Sequence, residues 1–286
     1  IKTAFLQSDP YGPDEPPRYI KVRHPFNHQR PWLYYRLHGP MYGQRSAPRR
    51  WEDTLAPWLE SLGFIRGKNE PSVFYRESDD LTLLLYTDDL IVDGDYQSVM
   101  DFLALLESRF DCNEPAILAV DHPIDFIGII ISLYPEGISM SMEPYTTKFL
   151  AEMNMSNCTP RSIPINGYIP DDSPELSAAQ AAQYRSGVGG IGWLANTTRP
   201  DMAFTFSKLG QLVAKPTEAA AAALKQALRY LQGTKDSRLF MQFSDLSDTN
   251  AFTFYCDSDH AGNKEASNKR RSQTGYLGFL NRSSQS

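Results

Sequence analysis

The stretch LLLYTDDLIV, residues 83–92, places two adjacent aspartates between two apolar arms. Each arm has the aliphatic composition of a buried strand, and an unpaired carboxylate is costly in apolar surroundings. Because successive side chains on a strand point to opposite faces, Asp88 and Asp89 can serve one ligand only if the chain turns there. The pattern therefore predicts a hairpin with a buried body and an exposed tip.

The two carboxylates at this tip need a counter-charge, and no lysine or arginine stands beside them in the sequence. Carboxylates without a basic partner are suitable ligands for Mg²⁺, which takes one or two of them together with substrate phosphates. The alternative is an ordinary hairpin turn, since aspartate is a common turn residue. This stretch alone leaves both interpretations open.

The net charge of −6 conceals a basic segment, because no acidic residue occurs between Glu15 and Glu52. Cations neutralise phosphates and aromatic faces stack on bases, so a mixture of the two favours single strands and irregular duplexes as partners. The alternative is a solvated basic surface over an aromatic core. The basic residues are Arg18, Lys21, Arg23, Arg30, Arg36, Arg45, Arg49 and Arg50, and the aromatic ones are Tyr19, Phe26, Trp32, Tyr34, Tyr35, Tyr42 and Trp51.

The composition limits the class of protein. With 286 residues, 41% hydrophobic and 22% charged, the chain can form one large or two modest globular cores. Its three cysteines are distant from one another, which argues against a disulfide framework or a clustered zinc site and favours a reducing compartment. No apolar run approaches the length of a bilayer span, so we expect neither membrane insertion nor secretion.

Apolar periodicity predicts the main helices and strands. Residues 49–63 and 95–110 carry helical stripes, the first ending at Gly63, and residues 72–95 read as three strands joined by two turns. A hairpin is expected to turn at residues 135–137, with Ile138, Met140 and Met142 on one face of its second strand, and a helix at 145–153. The alanine-rich residues 218–233 favour a helix with Gly233 as its stop, and AFTFYCDSD alternates like a strand.

Seven short segments together resemble the copia-type retrotransposon reverse transcriptases. YTDD resembles the Tyr-x-Asp-Asp box of reverse transcriptases, and IKTAFL and MYGQRSAPRRW resemble two copia-type boxes before it. The later segments DFIGIII, YRSGVGGIGWLANTTRPDMAF and LRYLQGT follow in the family's order, and FYCDSDHAG resembles the opening strand of its ribonuclease H domain. The likeness covers essentially the whole chain.

This resemblance implies an α+β fold of the right-hand polymerase type, with a palm made of an antiparallel sheet and two packed helices. Residues 1–142 would form the palm with partial fingers, 143–166 a thumb-like segment, 167–246 a mostly helical connection region, and 247–286 the start of a ribonuclease H-like domain. The implied function is RNA-directed DNA polymerisation by two Mg²⁺ ions, or Mn²⁺ in their place. The implied partners are an RNA template, a DNA primer, deoxynucleoside triphosphates, and the protease and integrase of the same polyprotein, in a cytoplasmic virus-like particle or the nucleus.

The resemblance also assigns roles to single residues. Asp88 and Asp89 would be the catalytic, metal-binding carboxylates. The nucleotide would be bound by Phe5, Tyr42, Gly43 and Arg45, with Phe5 as the aromatic gate beneath the sugar, although an apolar setting also suits a core phenylalanine. Tyr86, Arg49 and Arg50 would contact primer and template, and Asp257 would be the first ribonuclease H carboxylate.

Two departures from the family pattern leave a second function open. The family's first catalytic aspartate would immediately precede Ile1, and the later ribonuclease H acids have no room before Ser286. We therefore expect residues 1–286 alone to be inactive, and a catalytically dead nucleic-acid-binding remnant is the alternative.

The glycines of GVGGIG have the spacing of a dinucleotide-binding loop, but AAQAAQYRS before them reads as helix, which favours close helix packing.

Overall fold

The computed structural model describes residues 1–24, 26, 31–167, 169–170, 172–243, 252–258 and 274–280. Helices make up 36% and strands 24%, and the named strands of the described residues all pair in antiparallel orientation, which is consistent with the α+β class. The chain divides into two compact units, Ile1–Ala116 and Ile117–Ser286. None of the described helices is long and apolar enough to cross a membrane.

The described residues of the first unit form a four-stranded sheet, a separate two-stranded hairpin and two helices. In chain order its elements are a 3-10 turn at Ala4–Gln7, β1 Arg18–Val22, β2 Leu33–Leu37, α1 Ala47–Ser61, β3 Ile65–Arg66, β4 Val73–Arg76, β5 Leu81–Tyr86, β6 Asp89–Asp93 and α2 Tyr96–Arg109. The sheet order is β3-β4-β5-β6, and β1 pairs with β2. Both helices and all three strands predicted for residues 49–110 are confirmed.

Apolar stripes on α1 and α2 form one core with the sheet. Trp51, Leu55 and Leu59 of α1 are buried, and α2 contributes Phe102 and Leu106. Opposite them, the buried residues of the sheet are Phe74, Leu81 and Leu83. The spacing of the helical residues places them on one face, so burying that face stabilises both helices. At the end of α1, Gly63 has φ +88°, a left-handed conformation that glycine adopts without strain.

The second unit combines a four-stranded sheet with a helical core. Its elements are β7 Ile124–Phe126, β8 Ile129–Tyr134, β9 Gly137–Ser141, α3 Glu143–Glu152, α4 Ala178–Ala195, a 3-10 turn at Pro200–Met202, α5 Ala203–Gly210, α6 Glu218–Gly233, β10 Leu239–Gln242, β11 Phe252–Ser258 and β12 Thr274–Leu280. The sheet order is β10-β9-β8-β7, and β11 pairs with β12. The hairpin predicted to turn at residues 135–137 is confirmed.

The glycines of GVGGIG lie inside α4, where they allow close packing between helices. A Cβ on Gly190 would come within 2.3 Å of the Phe149 ring, and one on Gly187 within 2.7 Å of Leu224 Cδ2. This confirms the packing interpretation. Gly233 is the last residue of α6, which confirms the predicted end of this helix. Gly233 does not have a positive φ. A Cβ added to Gly233 would lie 2.8 Å from the Cβ of Pro160, so the glycine allows close packing there.

The predicted domain bounds stay predictions. Strand β10 of the predicted connection region joins the sheet of β8 and β9, which belong to the segment predicted as palm. Most of the predicted ribonuclease H-like segment, including residues 259–262 of its motif, lies outside the described residues.

Candidate active site at the Asp88 hairpin

The hairpin between β5 and β6 turns at Thr87 and Asp88, and Tyr86 pairs with Asp89 across it. Thr87 has φ +57°, which is costly for a β-branched residue. Two hydrogen bonds from distant parts of the chain hold this tip. Trp51 Nε1 donates to the Thr87 carbonyl at 2.6 Å, and the Ile1 backbone nitrogen donates to the Asp88 carbonyl at 2.6 Å.

The two carboxylates of the tip differ in exposure, since Asp88 is half-buried and Asp89 is exposed. Among the residues that the structure describes, neither forms an ion pair with a basic side chain. The described residues also contain no group of three or more His, Cys, Asp or Glu side chains able to hold a metal. The tip therefore offers two unpaired carboxylates, a donor set that fits Mg²⁺ supplemented by substrate phosphates and water.

Two of the residues expected to bind nucleotide lie in contact. The rings of Phe5 and Tyr42 are 4.8 Å apart between centroids and tilted by 48°, and Phe5 packs partly buried against the core of the first unit. Gly43 has φ +88°, so the turn after Tyr42 favours glycine. Arg45 is exposed and forms no ion pair within the described residues. Its charge is available to a phosphate.

The arginines expected to contact primer and template already have acidic partners. Arg49 pairs with Asp53 at 2.9 Å, one helical turn along α1. Arg50 pairs with Glu15 and lies over the ring of Tyr11 at 4.5 Å. A hydrogen bond from the backbone N–H of Gly12, together with Arg50, lowers the pKa of the Glu15 carboxyl. Any phosphate contact by Arg50 would compete with this pair, whereas Tyr86, which is 57% exposed, is accessible.

The basic segment has mostly exposed aromatic rings. Trp51 is buried, at 3% exposure, so the alternative of an aromatic core holds for this residue. It is wrong for the other described rings, because Tyr19, Phe26, Trp32, Tyr34, Tyr35 and Tyr42 are between 42% and 92% exposed. Arg30 lies outside the described residues.

Two positioning residues were missed by sequence reasoning. The apolar pattern places Trp51 in the stripe of α1. Nothing in that pattern indicates that its indole N–H donates a hydrogen bond to the hairpin tip. Gln44 accepts hydrogen bonds from Tyr11 Oη at 2.8 Å and from the Met41 backbone at 3.3 Å, which orders the loop of Tyr42 and Gly43. The sequence feature that could have indicated this role is the position of Gln44, a polar residue, directly after the turn glycine Gly43.

Asp257 stands on β11, exposed, and pairs with Gly275 of β12. The alternating pattern of its segment predicted this strand correctly. Its role as a ribonuclease H carboxylate stays a prediction.

Comparison with known proteins decides the family. The family described as Reverse transcriptase (RNA-dependent DNA polymerase) matches residues 1–167, more than half of the chain. The chain belongs to the reverse transcriptase family. The Tyr-x-Asp-Asp hairpin and the loop of Tyr42 both lie inside the matched residues.

The relatives of this reverse transcriptase region include copia-type retrotransposon polyproteins. The Pol polyprotein of transposon RE2 from Arabidopsis thaliana is 30% identical over 98% of the chain and 18% of its own length. That of transposon TNT 1-94 from Nicotiana tabacum is 27% identical over 97% of the chain and 21% of its own length. An uncharacterized mitochondrial protein of Arabidopsis thaliana is 32% identical over 69% of the chain and 78% of its own length. The chain thus spans about a fifth of the Pol polyproteins.

Proposed function

We propose that this chain is the palm-containing part of an RNA-directed DNA polymerase, with its catalytic carboxylates at the tip of the β5–β6 hairpin. One observation carries the proposal. The Ile1 nitrogen lies 2.6 Å from the Asp88 carbonyl oxygen, so a residue attached before Ile1 would stand beside this tip. That is the position at which the resemblance expects the first catalytic aspartate.

Asp88 and Asp89 would hold the divalent ions. When bound, such ions activate a primer hydroxyl and stabilise the charge that develops on the phosphates. The chain's part is to keep the two carboxylates at a fixed place, through the bonds of Trp51 and Ile1 to the hairpin tip. Preorganised charge of this kind acts without a reorganisation cost during the reaction.

The other proposed site residues would position the substrates. Arg45 is exposed and free to neutralise the triphosphate, and the Phe5 ring, in contact with Tyr42, would lie beneath the sugar. Tyr86 would support the primer end. The partners would be an RNA template, a DNA primer and deoxynucleoside triphosphates, in a polyprotein particle that also carries protease and integrase.

The test is primer extension by a chimera that joins residues 1–286 behind the upstream Pol segment of the Arabidopsis RE2 polyprotein. Asp88→Asn should reduce extension by about a hundredfold or more, the scale of losing one preorganised electrostatic contact. Asp93→Asn is the matched control, because Asp93 is an exposed aspartate at the other end of β6. It should change extension by less than about twofold, the range of a surface substitution.

Two results would count against the proposal. Near-normal extension by the Asp88→Asn chimera would show that the catalytic centre lies elsewhere. A folded chimera that binds template and primer but extends nothing, with Asp88 intact, would favour the inactive nucleic-acid-binding remnant.

A further inference from the structure

The β1–β2 hairpin carries a cation opposite an aromatic ring at successive positions of one face. Tyr19 pairs with Arg36 and Lys21 pairs with Tyr34 across the two strands. Side chains two residues apart share a face, so Arg23 and Trp32 extend the same row beyond the strand ends. We call these six side chains the cation–aromatic face; they are Tyr19, Lys21, Arg23, Trp32, Tyr34 and Arg36.

Direct contacts join four of these side chains. Lys21 Nζ lies 4.5 Å from the centre of the Trp32 ring and 5.8 Å from that of Tyr34. The Arg23 guanidinium lies 4.9 Å from the Trp32 ring. Such contacts are attractive, because the negative face of the ring meets the positive charge.

The two faces of the hairpin differ in character. The opposite face carries the half-buried aliphatic residues Ile20, Leu33 and Leu37, together with Arg18, Val22 and Tyr35. On the cation–aromatic face, Tyr19 is 61% and Tyr34 is 64% exposed. Within the described part of the chain, none of the cations on this face forms an ion pair. The face therefore presents open rings and unneutralised charge to the solvent.

We infer that the cation–aromatic face binds a single strand of RNA or DNA, with bases stacked on Tyr19 and Tyr34 and phosphates held by Lys21, Arg23 and Arg36. The inference rests on the proposed function for the class of ligand, and it assigns a second contact surface on a different hairpin from that of Asp88. In a polymerase this surface would hold unpaired template or product.

The chemistry of the face favours a single strand over the other occupants. In a duplex the faces of the bases are covered by neighbouring base pairs, so alternating rings would have nothing to stack on. Tyrosine, tryptophan and arginine also occur often in protein interfaces. The three cations without an acidic partner nevertheless match a polyanionic chain better than a protein surface of mixed charge. Single strands, in contrast, use both elements, since stacking occurs with every base and cations follow the backbone.

The test is binding of the 286-residue chain to fluorescent twelve-nucleotide polypyrimidine RNA and DNA, measured by anisotropy in EDTA. Tyr34→Ala should weaken binding about fivefold or more, the lower bound for one stacked base. Tyr35→Ala is the matched control, because Tyr35 is the next residue of β2, is 55% exposed and points to the opposite face. It should change binding by less than about twofold.

Three further measurements make the test decisive. Tyr34→Phe keeps the ring and should bind like the parent, and Lys21→Gln should reduce the salt slope by about one. Binding of a blunt duplex should not respond to Tyr34→Ala. Equal effects of Tyr34→Ala and Tyr35→Ala, or an equal loss of duplex binding, would overturn the inference. Because EDTA excludes metal chemistry, these results do not depend on whether Asp88 is catalytic.

Discussion

The indole nitrogen of Trp51 lies 2.6 Å from the carbonyl oxygen of Thr87, and this bond joins helix α1 to the tip of the β5–β6 hairpin. Trp51 is itself anchored, since its ring meets Phe110 edge-on at 5.3 Å in the core. A buried side chain with fixed neighbours thus determines where the turn lies. The position of the Asp88 and Asp89 carboxylates depends on the packing of α1.

Trp51→Phe should therefore loosen the hairpin tip. The change removes one hydrogen bond, worth about 0.5–1.5 kcal/mol, and leaves a small void in the core. We expect the free energy of unfolding to fall by about 1–2 kcal/mol and the amides of β5 and β6 to exchange faster.

Trp58→Phe is the control, because Trp58 packs on Phe102 and Phe110 of the same core. Hydrogen exchange by mass spectrometry distinguishes the two variants. Similar exchange of β5 and β6 in both would mean that the Trp51 bond does not hold the tip.

Neighbouring glycines of α4 provide a second prediction. A Cβ on Gly190 would lie 2.3 Å from the Phe149 ring, whereas a Cβ on Gly189 would meet nothing within 4 Å. Gly190→Ala should destabilise the second unit by about 1–3 kcal/mol through overpacking. Gly189→Ala should be neutral or stabilise it by up to about 1 kcal/mol, because alanine is the better helix former.

Urea unfolding followed by circular dichroism measures both alanine variants. Equal unfolding midpoints for the two would show that α4 shifts freely, and the close-packing account of GVGGIG would then be wrong. Gly190→Ala also tests the alternative of a dinucleotide-binding loop. In such a loop Gly190 would not pack against another helix, so the substitution would not lower stability by overpacking.

Local pattern was sufficient for most elements of the first unit. The apolar stripes of α1 and α2 and the alternation around Asp88 depend on residues close in sequence, so their helices and hairpin could be predicted. The face of a strand that becomes buried was harder to predict. In β9, Ser139 and Ser141 are buried while Ile138 and Met140 are only half-buried, because neighbouring elements decide which face is covered.

Tertiary partners had no local signal. Arg50 pairs with Glu15 across 35 positions, and Ile1 bonds to Asp88 across 87. Sequence reasoning treated Arg50 as a free cation, since its partner lies at the edge of an acid-poor segment. The position of Ile1 beside Asp88 followed from the resemblance alone, because spacing cannot bring two such distant residues together.

A third prediction concerns the pH dependence of the second unit. Burial raises the pKa of the Asp201 carboxyl, but hydrogen bonds from Arg199 and Tyr230 outweigh burial, so the pKa lies below its ordinary value. The unfolded state then binds the proton more readily than the folded state. The stabilisation is therefore fully present above the ordinary pKa and is lost as the pH falls through the folded pKa.

Asp201→Asn should consequently cost more stability at pH 6 than at pH 3. Glu152→Gln serves as control, because Glu152 is an exposed carboxyl 3.9 Å from Lys148. Urea unfolding at both pH values measures the difference from the parent chain. A cost of Asp201→Asn that is the same at both pH values would show that its pairing with Arg199 does not depend on charge.

The last prediction separates two roles for Phe5, a gate beneath the nucleotide sugar or a core side chain. Its ring is partly buried and lies 4.8 Å from that of Tyr42, so the contacts suit both roles. In the RE2 chimera, Phe5→Val should raise the incorporation of ribonucleotides relative to deoxyribonucleotides by about tenfold or more. The smaller side chain removes the clash with a 2′ hydroxyl, and a tenfold change corresponds to about 1.4 kcal/mol. Phe5→Tyr keeps the ring and should discriminate like the parent. Single-nucleotide incorporation with matched ribo- and deoxyribonucleotides measures the ratio, and a drop in stability with unchanged discrimination would assign Phe5 to the core.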